Sequence, residues 1–149
     1  MPYDEPADLI ASAEATIDTI ALLLGDISEE VGDTPGAWSI AQILNHLLDT
    51  ERRYFARVRR LRTESQPQMK VMPDAEVTRL TALQAWKLFY KLRQRHIRLL
   101  RSLKPGEWRR SGTLSPIGNV TIAGIIRHMS AHDATHTAQI ARRLSGRPG

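Results

Sequence analysis

Four stretches of the chain repeat apolar residues every third or fourth position, and segments rich in proline, glycine and acids separate them. This is the tightest constraint on the fold, because a 3.6-residue period gives a helix one apolar face and that face must be covered by others like it. Leu9, Ile10, Ala13, Ile17, Ile20, Leu23 and Leu24 carry the first stripe. Pro6 suits a first turn and Gly25 a stop, so a helix is predicted over about residues 7–24. The second, about 39–62, opens at a capping box in which Ser39 takes an early amide and Gln42 reaches back, with Trp38 placed to staple against Ile43. Ile40, Leu44, Leu47, Tyr54, Val58 and Leu61 continue it, flanked by arginines. The third, about 78–103, runs through Leu80, Leu83, Trp86, Phe89, Ile97, Leu100 and Leu103 to Pro105 and Gly106. The fourth begins near Asn119 or Thr121 and covers about 120–144.

Residues 26–37, 63–77 and 104–119 read as connections, the last with room for one short extended piece. No alternating strand pattern and no internal repeat interrupts the helices. The expected architecture is an all-α four-helix bundle forming a single domain over residues 1–149. Long connections after the second and third helices disfavour a chain of simple hairpins, and residues 63–77 can cross the bundle so that helices 2 and 3 run parallel.

Composition narrows the function classes. The chain has no cysteine, which excludes disulfides, thiolate ligands and a protein thiol nucleophile. It has no apolar run of the roughly 18 residues a membrane span needs, and its acidic start, MPYDEPAD, lacks a signal peptide's basic region, so a cytoplasmic location is expected. The net charge of +5 hides an asymmetry: residues 1–50 hold ten acids and no Lys or Arg, whereas the remainder holds all 21 basic residues. An acidic first segment packed beside basic later helices would match much of this charge internally, so the basic balance argues only weakly for nucleic acid. Aromatic content of 5% and the lack of a recognised nucleic-acid motif place that function last.

Within the fourth segment, His128, His132 and His136 recur at intervals of four. That spacing stacks side chains on one helix face about 6 Å apart, from where two imidazoles can converge on one ion. With Ile125 at zero and about 100° per residue, His132 falls at about −20°, His136 at about +20° and His128 at about −60°. His132 and His136 are therefore directed at the core, where burying two imidazoles is costly unless a metal or hydrogen bonds satisfy them. The competing reading has them cap a wet bundle end or bond to Gln139 and Asp133. His46, the one histidine in the first 90 residues, is the candidate third ligand. It lies at the edge of its stripe, a position equally suited to an ordinary surface residue. Such a site would be a solvent-open groove between helices 2 and 4. Three protein ligands leave a coordination position free, where an ion can activate water or hold a substrate thiolate or carbonyl.

Glu51 sits in the middle of the second stripe, and antiparallel packing of helices 2 and 4 would bring it level with His128 and make a structural pair of the two. Asp49, one turn after His46, is placed either to orient its imidazole or to remain a solvated acid. His96, among Arg93, Arg95 and Arg98, reads as solvated.

Trp38-Ser39-Ile40, Leu44-Asn45-His46-Leu47, Glu51 and the run HMSAHDATHTAQ from His128 to Gln139 resemble the DinB superfamily, which includes YfiT-like metal-dependent hydrolases. The resemblance covers roughly residues 7–145. It implies up-down-down-up topology, often a homodimer, and a metal triad on His46, His132 and His136 that holds zinc or nickel. His128 matches a position often occupied by histidine without being one of the three ligands. The resemblance also implies small-molecule substrates, with some relatives using low-molecular-weight thiols such as mycothiol or bacillithiol. Two functions follow for this chain. One is a metal-dependent enzyme, either a hydrolase or a thiol-dependent transferase, with Arg127 among the basic residues that attract an acidic substrate or thiol. The other is a metal-stabilised interaction or dimerisation module without turnover.

Overall fold

The computed structural model describes residues 5–25, 38–72 and 79–146. Helices α1 (Pro6–Leu24), α2 (Ile40–Thr63), α3 (Ala82–Ser102) and α4 (Ile122–Leu144) form the expected four-helix bundle. The expected connection at 26–37 lies outside the described residues. Local chemistry sets the helix starts. At α2, Ser39 and Gln42 close the capping box in both directions. At α4, the Thr121 hydroxyl accepts from the Gly124 amide. α3 starts later than its apolar pattern suggests, because Thr81 and Gln84 form a second capping box there. Leu80 stands ahead of the helix, with its backbone N–H donated to Asn45 and its carbonyl accepting from Asn45.

Side-chain pairs fix the directions. Asn45 meets Leu80 while Glu51, further along α2, meets Arg93 and His96, so α2 and α3 run parallel. His46 meets His132 and Tyr54 meets His128, so α2 and α4 run antiparallel. α1 packs against α3 and α4, completing the four-helix bundle. Ile20 of α1, Ile43, Leu44 and Leu47 of α2, Phe89 and Leu100 of α3, and Ile126 and Met129 of α4 are buried in one core. Each such side chain contributes about 1.5–3 kcal/mol relative to exposure, so the bundle rests on the helix faces themselves. The acidic α1 also meets the basic α3 at an exposed Glu14–Arg101 ion pair, in line with internally matched charge.

The connections hold more order than their composition suggests. β1 (Gln68–Lys70) pairs in parallel with β2 (Ser111–Ser115), and β2 pairs antiparallel with β3 (Gly118–Thr121). This corrects the expectation of connections without strand pairing. Strands of three to five residues are too short to show alternation, and β1 and β2 come from separate connections. A 3-10 turn at Pro105–Arg109 turns Trp108 into the core beneath them. Gly112 allows the close packing: a Cβ there would stand 2.6 Å from the Pro67 carbonyl oxygen and 3.0 Å from Leu61. β3 runs directly into the N-terminal end of α4, and Arg110, just before β2, donates to the Leu61 carbonyl near the C-terminal end of α2, so the sheet lies at the ends of these helices opposite His46 and His136.

Candidate metal centre

α2 and α4 bring His46, His132 and His136 together from opposite ends of the sequence. One ring nitrogen from each lies within 4.8 Å of the others, and all three residues are half-buried. The Nε2 atoms of His46 and His132 are 3.0 Å apart. Four nitrogens around a tetrahedral zinc at about 2.0–2.1 Å would be about 3.3 Å from one another, so the observed separation suits convergence on one ion. The Gln139 side-chain oxygen accepts from Nδ1 of His136 at 2.6 Å, which leaves Nε2 of His136 as the lone-pair donor. Nδ1 of His132 is buried with no hydrogen-bond partner. Burial, together with the neighbouring histidines His136 and His46, pushes the His132 pKa down to about 4, so this imidazole is neutral and has a lone pair to offer. The donor set, its spacing and its protonation all fit a divalent cation.

The expected inward direction of these rings needs refinement. The buried residues of α4, Ile122, Ile125, Ile126, Met129, Asp133 and Ile140, centre the stripe to one side of Ile125. By the same 100° step that centre lies at about +60°, about 80° from His132, which falls on the margin, and about 40° from His136. Trp38, 44% exposed, stacks near His136 and meets His46 edge-on, with ring centroids 6.3 and 5.1 Å apart. It screens one flank of the group while the groove stays open.

The expected Glu51 and His128 pair does not form. Glu51 is buried as its stripe position requires, but its partner is Arg93 of α3, which donates from Nε at 2.7 Å and from Nη2 at 2.9 Å. His96 Nδ1 lies 3.0 Å from the same carboxylate. Arg93 also reaches both oxygens of Asp133 and the carbonyl of Ala13, and Thr16 donates to Asp133. Burial alone would raise the Glu51 pKa; the Arg93 charge and the His96 contact overcome it and hold the carboxyl at about 2. Burial also raises Asp133, against the pull of Arg93. His96 is 0% exposed, so its reading as solvated is overturned.

A projection of α3 carries the missed signal. With Phe89 at zero, Arg93 falls at about +40° and His96 at about −20°, both inside the stripe of Ala85 and Leu100. Reading them as part of a basic run hid that position.

His128 is exposed and pairs instead with Tyr54, whose hydroxyl lies 2.9 Å from Nδ1. Burial, then the Asp133 charge, raise the Tyr54 pKa to about 12, so the phenol keeps its proton. Asp49 pairs with Arg53 at 2.8 Å, one turn along α2. Arg127 is exposed, beside Gly124 and on the side of α4 away from the histidine face.

These features define a class: a four-helix bundle with an open three-histidine group between two antiparallel helices. The chain belongs to the DinB superfamily, whose sequence profile matches residues 12–140. It is 25% identical over 142 residues to a Bacillus mycoides (strain KBAB4) protein named "Putative metal-dependent hydrolase", covering 88% of this chain and 80% of that one. YfiT from Bacillus subtilis, described as a probable metal-dependent hydrolase with an unusual four-helix bundle topology, superposes with a TM-score of 0.75. The match covers 95% of this chain and 88% of YfiT at 19% identity, and it establishes the shared fold.

Proposed function

We propose that the chain is a divalent-metal-dependent enzyme, a hydrolase or a thiol-dependent transferase acting on a small molecule, with His46, His132 and His136 as the metal ligands and zinc or nickel as the ion. The observation that carries this reading is the convergence of three ligand atoms within 4.8 Å on two helices that are otherwise held apart by apolar packing. A bound divalent ion would supply Lewis-acid polarisation and an open coordination position. The chain's own residues do the rest. Gln139 holds the His136 tautomer, Trp38 excludes water from one flank, and Tyr54 orients His128 one turn from His132 at the groove mouth.

The second reading is a metal-stabilised interaction or dimerisation module without turnover. The exposed Trp38 ring beside the histidines favours it, because an aromatic at a rim suits a protein partner, including a second copy in a homodimer. Metal analysis of protein purified without a nickel column tests the shared premise. The expectation is one divalent ion per chain in the wild type and none in His132→Ala. A hydrolysis and thiol-conjugation screen on the loaded protein then separates the two, since turnover lost in His132→Ala supports the enzyme and its absence across the screen supports the module.

A further inference from the structure

We propose that Arg57 and His128, on either side of Tyr54, form an oxyanion subsite beside the histidine group, and that it selects small molecules bearing a carboxylate or phosphate. As a substrate preference this rests on the metal-dependent reading; as a binding site it stands on its own geometry.

On α2, His46, Arg53 and Arg57 lie within about 20° of one line, with Tyr54 on the flank toward α4. Because helical side chains lean toward the N-terminus, the Arg57 guanidinium is carried back to the level of Tyr54, beside the histidine face. Arg57 is half-buried, and the charged or titratable groups that act on it are Tyr54 and the like-charged Arg53. Burial pulls its pKa down, Tyr54 pulls it back up, and Arg53 adds to the depression. Among the described residues no carboxylate bonds to it.

Other arginines of α2 and α3 have carboxylates, whereas exposed Arg59 lies over the Phe55 ring. Arg53 has Asp49, Arg60 has Glu64, Arg62 has Glu107, and Arg93 has Glu51 and Asp133. A half-buried guanidinium left with a cation for company is costly to hold, and a bidentate oxyanion is the partner whose shape and charge it matches.

His128 supplies a second donor. The Tyr54 hydroxyl occupies Nδ1, so Nε2 of this exposed residue is the nitrogen left to donate to an anion. The acids nearest in sequence to this face, Glu51 and Asp133, are already held by Arg93, so they are not available to Arg57. His128 precedes His132 by one turn, roughly 6 Å along the helix. An anionic group held there leaves the rest of a small molecule to reach the three histidines.

The test is a titration of the intact metal-free protein at constant ionic strength with inorganic phosphate, succinate and the neutral succinamide, following the Arg57 side-chain and His128 ring resonances. The expected result is a saturable shift of both groups with phosphate, succinate or both, and none with succinamide. The stronger of the two names the source, phosphate ester or carboxylate. Arg57→Gln is expected to raise the dissociation constant at least tenfold, His128→Ala severalfold, and Arg57→Lys less than Arg57→Gln while keeping the fold's charge. His46→Ala is expected to leave anion binding within twofold while abolishing metal binding, so a failure of the metal reading and a failure of this one give different results. Absence of a saturable shift with both anions, or an unchanged dissociation constant in Arg57→Gln, overturns the proposal.

Discussion

The carboxylates of the Arg93 cluster and the three histidines come from the same two helices. Glu51 lies five residues beyond His46 on α2, and Asp133 follows His132 directly on α4. In the first cluster a 0% exposed guanidinium is met by two carboxylates and a carbonyl, so that its own charge and hydrogen-bond geometry are both satisfied, although Nε2 of His96 beside it has no partner. In the second, two Nε2 atoms face each other at 3.0 Å and the far nitrogen of His132 has no partner. Satisfied buried polar groups fix a fold, whereas converging lone pairs without a cation are costly to keep and point to a ligand. The difference also ties the two together: by bridging α2, α4 and α1, Arg93 holds the register in which His46 can face His132.

The largest expected effect that sharpens this contrast is on Arg93. Replacing it with Met strands two buried carboxylates and should cost about 3–5 kcal/mol in urea unfolding. A loss below about 1 kcal/mol would break the comparison, since the cluster would then not be holding the bundle. The pH dependence follows from Glu51. Its pKa is lowered in the folded state to about 2, so its contribution is fully present above the ordinary carboxylate range and disappears as pH falls from about 4.5 toward 2. The stability gap between wild type and Glu51→Gln should therefore be wide at pH 6 and close at low pH; a gap that widens with acidification contradicts the ionised pair.

Gln139→Leu probes the other region. It removes the acceptor that fixes His136 and should weaken divalent-metal affinity about 10- to 100-fold while leaving metal-free stability within about 0.5 kcal/mol. Equal metal affinity would mean that Gln139 does not set the ligand's tautomer. The smallest effect is expected for Tyr54→Phe, which removes one hydrogen bond to an exposed ring: about 1 kcal/mol of stability, with metal affinity unchanged.

The sequence carries the helices and their caps because those depend on neighbours three and four residues away: Ser39 with Gln42, Thr121 with Gly124, and each apolar stripe. It also carries the three histidines as candidates, because one helix displays two of them and the chain offers few other donors. It conceals what depends on which helices adjoin. The stripe puts Glu51 in the core, but its partner comes from α3, which the pattern of α2 and α4 alone does not show. The partner of His128 is instead Tyr54, three residues beyond Glu51 on α2. The small sheet is hidden for the same reason, as Gln68 and Thr113 pair across two separate connections.

The most direct test of the account is a calorimetric titration of metal-free protein with zinc and with nickel, for wild type and His132→Ala, followed by thermal unfolding. The account predicts one site per chain in the wild type, lost in His132→Ala. At a free ion concentration 100 times the dissociation constant, it predicts a stabilisation of about 2.7 kcal/mol. No saturable binding of either ion to the wild type, or equal binding to wild type and His132→Ala, would contradict it.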